Sequence, residues 1–177
     1  MLLNEQARCK IRAVKLLIMD VDGVLTDGRS LCGTGGFEGV FFNVQDGSGI
    51  KWLHRAGIQT ALITGRRLDA VTKHAEALSI PHVVQGAKVK LDAYEQVKRQ
   101  TGLDDEAICY VGDDLPDIPV MKRTGLSVAV RNARPEVLQA ADIVTDADGG
   151  DGAVRELAES ILKAKGDWDK IVARYFQ

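Results

Sequence analysis

Leu16-Leu17-Ile18-Met19-Asp20-Val21-Asp22-Gly23-Val24-Leu25-Thr26 is the stretch whose reading decides the fold. Its apolar opening has the composition of a strand buried on both faces. It ends in two aspartates one residue apart, then a glycine turn. Residues i and i+2 of a strand share a face, so both carboxylates converge just beyond the strand's C-terminal end, where open α/β sheets bind ligands. Two like charges so close repel each other. A divalent cation would relieve that repulsion and let an anionic phosphate approach an anionic nucleophile. Taken alone, Asp-x-Asp-Gly could equally do no more than solvate a strand end.

Working outward, short β-rich runs alternate with segments of helical period. The strand candidates are 15–19, 59–63, 82–84, 107–111, 126–130 and 142–144, and the helix candidates 49–56, 68–78, 89–101, 117–122, 135–140 and 152–165. Ala70, Val71, His74, Ala75 and Leu78 show the spacing of a packed helical face. Strands alternating with helices imply a parallel sheet with right-handed crossovers. The expectation is one α/β domain over 1–177, Rossmann-like and doubly wound, with no cap domain.

One segment breaks the alternation. Residues 29–45 read as two short strands around the glycine-rich Gly33-Thr34-Gly35-Gly36. Such a hairpin is marginal alone, and Phe41 and Phe42 want a partner. It either folds back on its own core or protrudes to pair with other subunits.

The chain's 177 residues allow a substantial core. With 45% hydrophobic and 27% charged residues and a net charge of -2, it reads as a globular protein with no basic excess for nucleic acid. Its apolar runs are strand-sized, short of the roughly 20 residues a membrane span needs. Residues 1–8 lack a signal-peptide layout, giving the expectation of a cytoplasmic protein. Cys9, Cys32 and Cys109 are odd in number and widely spaced, so neither a disulfide framework nor a zinc cluster is indicated, and Cys109 belongs in the core.

Three further motifs each follow a later strand. Thr64-Gly65-Arg66 offers a hydroxyl, a glycine for close backbone approach and a guanidinium for anions. In Gln85-Gly86-Ala87-Lys88-Val89-Lys90, a lysine at a helix opening can neutralise charge during phosphoryl transfer. Gly112-Asp113-Asp114-Leu115-Pro116-Asp117 places a further acidic cluster at a strand end, suited to completing an oxygen-rich Mg²⁺ site. Asp114 and Asp117 fit a capping or supporting role better than direct metal binding.

In that order the four motifs resemble the haloacid dehalogenase superfamily of aspartate-nucleophile phosphotransferases. Residues 20–28, 42–47, 112–121 and 152–157 extend the resemblance to its capless branch, which contains phosphatases of 3-deoxy-D-manno-octulosonate 8-phosphate and of nine-carbon sialic-type sugar acids. The resemblance implies Asp20 as nucleophile and Asp22 as general acid and base. It implies Mg²⁺ held by the Asp20 side chain, the Asp22 backbone carbonyl and Asp113. Thr64 and Lys90 would bind phosphoryl oxygens. Lys90 is preferred to Lys88 because Gln85-Gly86-x-x-x-Lys90 followed by Ala93-Tyr94 matches the family pattern. Asn43, Asp46, Gly47, Lys51, Gly65, Arg66 and His74 would line a sugar-acid pocket. It also implies a homotetramer with hairpins meeting at the centre and neighbours covering each active site. The tail, about 166–177, could then reach a neighbouring site, with fraying as the competing expectation.

The chain departs from the family at Gln45, Lys51 and His74, where octulosonate phosphatases usually carry arginine, and at Asp151, which is also often arginine there. Lysine lacks the planar fork that suits carboxylate, and a histidine of ordinary pKa is mostly neutral at pH 7. The substrate therefore stays open among an eight-carbon sugar acid phosphate, a nine-carbon one and a broad range of phosphomonoesters. Two readings of other classes are a phosphoacceptor signalling domain and a non-catalytic oligomeric assembly module. The first would carry its phosphorylated aspartate on a middle strand, and the second would be free to lose its nucleophile or lysine.

Overall fold

β1 (Leu16–Met19) is the strand foreseen from the opening stretch, in a computed structural model that describes residues 5–176. Met1–Asn4, half of the N-terminal segment read above, and Gln177, the end of the tail, lie outside the described residues. All four β1 side chains are fully buried, and each such burial contributes about 1.5–3 kcal/mol.

Around β1 the chain builds a six-stranded parallel sheet. The other strands are β4 (Gln59–Thr64), β5 (His82–Gln85), β6 (Ile108–Gly112), β7 (Leu126–Ala129) and β8 (Ile143–Val144), in the order β5-β4-β1-β6-β7-β8. Chain direction across the sheet reverses at β1, so the topological switch point falls between β1 and β6. Register puts Met19 opposite Leu62 on one side and Val111 on the other. Asp20, Thr64 and Asp113 therefore reach the same sheet end.

The helices are α1 (Glu5–Ala13), α2 (Val44–Arg55), α3 (Asp69–Leu78), α4 (Lys90–Thr101), α5 (Ile118–Met121), α6 (Pro135–Ala140), α7 (Ala153–Lys165) and α8 (Trp168–Ala173). Right-handed crossovers place α2 and α3 on one face with α1 and α7, and α4, α5 and α6 on the other. Among the described residues no cap domain interrupts the sheet. Cys109 is buried in the core, while Cys9 and Cys32 are exposed.

α2 begins five residues before the expected start at 49. Asn43 is its N-cap, with Oδ1 accepting from the Gln45 N–H at 2.8 Å. Gly47 and Gly49, which look like helix breakers, are packing residues. A Cβ on Gly49 would meet Ala158 Cβ at 3.1 Å, so the glycine lets α2 cross close over α7. The hairpin is correspondingly shorter than 29–45: β2 (Leu31–Cys32) pairs antiparallel with β3 (Glu38–Gly39) and protrudes, with Leu31, Phe37 and Phe41 exposed. The tail turns back on its own chain as α8. The Trp52 indole N–H donates to the Tyr175 hydroxyl at 3.0 Å, and Trp168 meets Trp52 edge-on.

The loop before α7 is pressed onto the turn after β1. The Gly150 N–H donates to the Val24 carbonyl at 2.8 Å, and a Cβ on Gly149 would stand 1.7 Å from the Gly23 carbonyl oxygen. Backbone cannot yield as a flexible side chain can. Gly149→Ala is expected to cost about 1–3 kcal/mol and lower the melting temperature by about 3–10 °C. Calorimetry beside the parent protein checks this.

Candidate active site

Asp20 follows β1 directly, its backbone N–H donating to the Val111 carbonyl at 3.0 Å, and is only 4% exposed. Lys90, the first residue of α4, brings its ammonium 2.8 Å from Asp20 Oδ1 and 2.6 Å from Asp117 Oδ1. Lys88 is exposed, so of the two lysines only Lys90 enters the site.

Burial pushes the Asp20 carboxyl well above the usual range; Lys90 opposes that shift, and Asp117 and Asp113 reinforce it. Burial would lower the pKa of Lys90, but the facing charges of Asp20 and Asp117 outweigh it and raise the value.

Asp117 organises this corner. It is fully buried, and besides Lys90 it accepts from the buried Tyr110 hydroxyl and from the N–H groups of Asp113 and Asp114, each at 3.1 Å. Asp114 and Asp117 also form a reciprocal capping box over Leu115–Asp117. The supporting role expected of Asp117 is thus more central than a cap alone.

Sequence reasoning misses Tyr110. A tyrosine inside a buried strand needs a partner for its hydroxyl, and that is the available signal.

Asp20, Asp113 and Asp117 offer carboxylate oxygens that all lie within 4.8 Å of one another. Asp117's oxygens are taken by Lys90, Tyr110 and backbone N–H groups. Asp113 Oδ1 is buried without a hydrogen-bond partner among the described residues. Burial, then the charge of Asp117, raise the Asp113 pKa to about 6. A Cβ on Gly23 (φ +92°) would collide with Asp113 Oδ2 at 2.1 Å, so glycine is required for this approach. An all-oxygen site with a buried, unpartnered carboxylate oxygen fits a hard divalent cation such as Mg²⁺.

The Asp22 side chain points elsewhere. Its Oδ1 accepts from Arg66 Nη1 at 2.8 Å and its Oδ2 from the buried Thr64 hydroxyl at 3.4 Å. Gly65 is exposed, and a Cβ there would meet only Ala87 O at 3.8 Å. No protein packing therefore demands a glycine at that position.

Two residues expected at the pocket are buried in helix packing. Asp46 is 1% exposed, and its Oδ1 accepts the Arg155 N–H at 2.7 Å, at the N-terminus of α7. Gly47 is buried against Leu78, whose Cδ2 a Cβ would meet at 3.2 Å. Both hold α2 to its neighbouring helices, a long-range role that local spacing does not reveal. Asn43 is half-buried and, besides capping α2, donates to the Gly150 carbonyl at 3.5 Å. His74 stacks flat on Phe42 with ring centroids 3.8 Å apart. Burial and then the nearby Lys51 lower its pKa, keeping the ring neutral at pH 7.

Burial raises Asp46 to about 6, against the opposing N–H bonds at the start of α7. The folded state therefore binds a proton more tightly than the unfolded chain, so stability present at low pH is lost as pH rises through about 6. Asp46→Asn keeps the acceptor for Arg155 and removes the ionisation. Its stability relative to the parent is expected to rise by about 2 kcal/mol between pH 4 and 7.5. Urea melts across that range read this slope, in which any pH-independent cost of the new amide cancels.

Comparison with known proteins agrees with this geometry. Residues 82–157 match the model of the haloacid dehalogenase-like hydrolases. The chain is 44% identical over 161 residues to the 3-deoxy-D-manno-octulosonate 8-phosphate phosphatase of Escherichia coli K12, covering 91% of this chain and 86% of that protein. The crystal structure of the Yersinia pestis phosphatase of that name is similar with a TM-score of 0.93 at 42% identity, over 94% of this chain and 90% of that one. The Moraxella catarrhalis phosphatase, solved with a magnesium ion, a phosphate ion and KDO, superposes with a TM-score of 0.95 at 37% identity, over 98% and 99% of the two chains.

Proposed function

Because this chain belongs to the haloacid dehalogenase-like hydrolases, among their 3-deoxy-D-manno-octulosonate 8-phosphate phosphatases, we propose that it is a Mg²⁺-dependent phosphomonoesterase releasing the free sugar acid and phosphate from that substrate. The observation that carries this reading is the Lys90 ammonium bridging Asp20 and Asp117, beside the unpartnered Asp113 oxygen, at the sheet's switch point.

Asp20 attacks phosphorus in line, its carboxylate oxygen forming the new P–O bond as the bond to the sugar oxygen breaks. Asp22 gives its proton to the departing alkoxide, then takes one from the water that cleaves the aspartyl-phosphate. Thr64 and Lys90 hold the phosphoryl oxygens, and Lys90 balances charge that would otherwise repel the incoming dianion. Asp20, the Asp22 backbone carbonyl and Asp113 would hold Mg²⁺, which when bound would supply electrostatic stabilisation of the transferring phosphoryl group. Arg66 and Lys51 are the cations for the sugar acid's carboxylate. The product would feed lipopolysaccharide precursor synthesis in the cytoplasm. Among the described residues no helix is long and apolar enough to cross a membrane.

The exposed hairpin, with Phe37 and Phe41 uncovered, supports a homotetramer assembled through it. Light scattering coupled to size exclusion reads the mass directly.

The corner formed by Lys51 and the neutral, stacked His74 favours a second reading, a nine-carbon sugar acid 9-phosphate. Phosphate release from the eight-carbon substrate, a nine-carbon 9-phosphate and p-nitrophenyl phosphate separates the two. The eight-carbon compound is expected to lead by at least about tenfold in kcat/KM. A lead by the nine-carbon compound would reassign the substrate, and equal turnover of all three would make the enzyme a broad phosphomonoesterase.

A further inference from the structure

Arg66 reaches three partners at once. Its Nη1 donates to Asp22 Oδ1 at 2.8 Å and to Ser30 Oγ at 2.7 Å, and its Nη2 donates to Glu38 Oε1. Arg66 follows β4, Asp22 follows β1, and Ser30 and Glu38 belong to the hairpin. A guanidinium carries five N–H donors. Three are engaged here, leaving Nε–H and one Nη2–H without a partner among the described residues.

Ion pairs between groups this exposed add little to stability. Each hairpin strand is only two residues long and its side chains are largely exposed. Stability therefore gives no reason for a carboxylate on a protruding hairpin to meet the arginine beside the acid/base. Orientation does. Arginine has a long side chain whose ordering is entropically unfavourable. A guanidinium fixed at both ends presents its two free donors before a ligand arrives.

We propose that Glu38 is a positioning residue. It anchors Arg66 from the hairpin so that the two remaining N–H groups face the sugar-acid end of the substrate, while Nη1 stays on Asp22. This inference rests on the reading of Arg66 given above. It makes the hairpin part of substrate recognition as well as of assembly.

Glu38→Ala and Glu38→Gln, alone and combined with Arg66→Ala, test it with 3-deoxy-D-manno-octulosonate 8-phosphate and p-nitrophenyl phosphate as substrates. Glu38→Ala is expected to raise KM for the sugar acid by about tenfold, the factor that about 1.4 kcal/mol of lost pre-ordering gives. Its kcat, and kcat/KM for p-nitrophenyl phosphate, should each change by less than about threefold, since that ester has no sugar acid to orient. Glu38→Gln keeps an acceptor at the same reach and recovers part of the loss. In the Arg66→Ala background, removing Glu38 adds nothing further. Melting temperatures stay close to the parent's, which separates positioning from hairpin damage.

Equal losses on both substrates would overturn the proposal, as would effects that add to Arg66→Ala or an unchanged KM. A parent enzyme that hydrolyses the sugar acid phosphate while Glu38→Ala behaves identically would sink the positioning role and leave the proposed function standing. If the parent cleaves only p-nitrophenyl phosphate, the substrate reading and this proposal both fall.

Discussion

Asp20→Asn is expected to lower kcat by at least about four orders of magnitude, because the proposed nucleophile loses its charge and nucleophilicity. The fold should survive the change. The substituted amide keeps the side chain's size and an oxygen for Lys90, which lies 2.8 Å from the Asp20 carboxylate. Burial disfavours the Asp20 charge, a shift that Lys90 opposes and Asp117 reinforces, so a neutral side chain relieves an unfavourable burial there. Phosphate release with Mg²⁺ present, set beside a thermal melt, gives both readouts. Residual turnover above about one part in a thousand would move the nucleophile to another residue.

Lys90→Met should damage activity and stability together. Its ammonium is the cation in contact with the buried Asp20 and Asp117. Removing one partner of a buried ion pair strands the others, and losses of about 3–5 kcal/mol are typical. The substitution is expected to lower unfolding free energy by about that much at pH 7.5 and kcat by about a thousandfold. Saturating Mg²⁺ should recover more stability in this variant than in the parent, since a bound cation supplies part of the missing positive charge. Urea melts with Mg²⁺ and with a chelator distinguish the two proteins. A variant as stable as the parent would mean that Asp117 does not depend on Lys90 for its burial.

The acidic end of the sheet was legible because its information is local. An apolar run closed by Asp20-x-Asp22-Gly23 marks a strand and its direction. But β1 ends at Met19, so strand alternation does not carry to Asp22, and its carboxylate turns to Arg66 and Thr64 instead of joining Asp20. Thr64 ends β4 and Asp113 follows β6, each two positions beyond the residue that faces Met19. Lys90 could be told from Lys88 by family pattern alone.

What stayed hidden depends on distant partners. Asp46 looks like an acid near a pocket until α7, more than a hundred residues later, arrives to use it as a backbone acceptor. α1 buries only Ala7 and Ile11 among its nine residues, too few to show a period. The tail reads as a fraying end because its anchor, Trp52, lies far away in α2. Glu38 sits in a glycine-rich stretch with no local sign of the arginine it meets.

The central place of β1 also has a consequence for synthesis. This strand is made before every other strand of its sheet, yet β6, the neighbour that completes its far side, is made only after β4 and β5. Until Ile108–Gly112 has emerged, Asp20 has one wall missing and remains solvated, with neither Asp113 nor Asp117 beside it. With Asp20 as the proposed nucleophile, a half-made chain would carry that carboxylate in an inert form, and hydrolytic capacity would wait for the two halves of the sheet to close on each other.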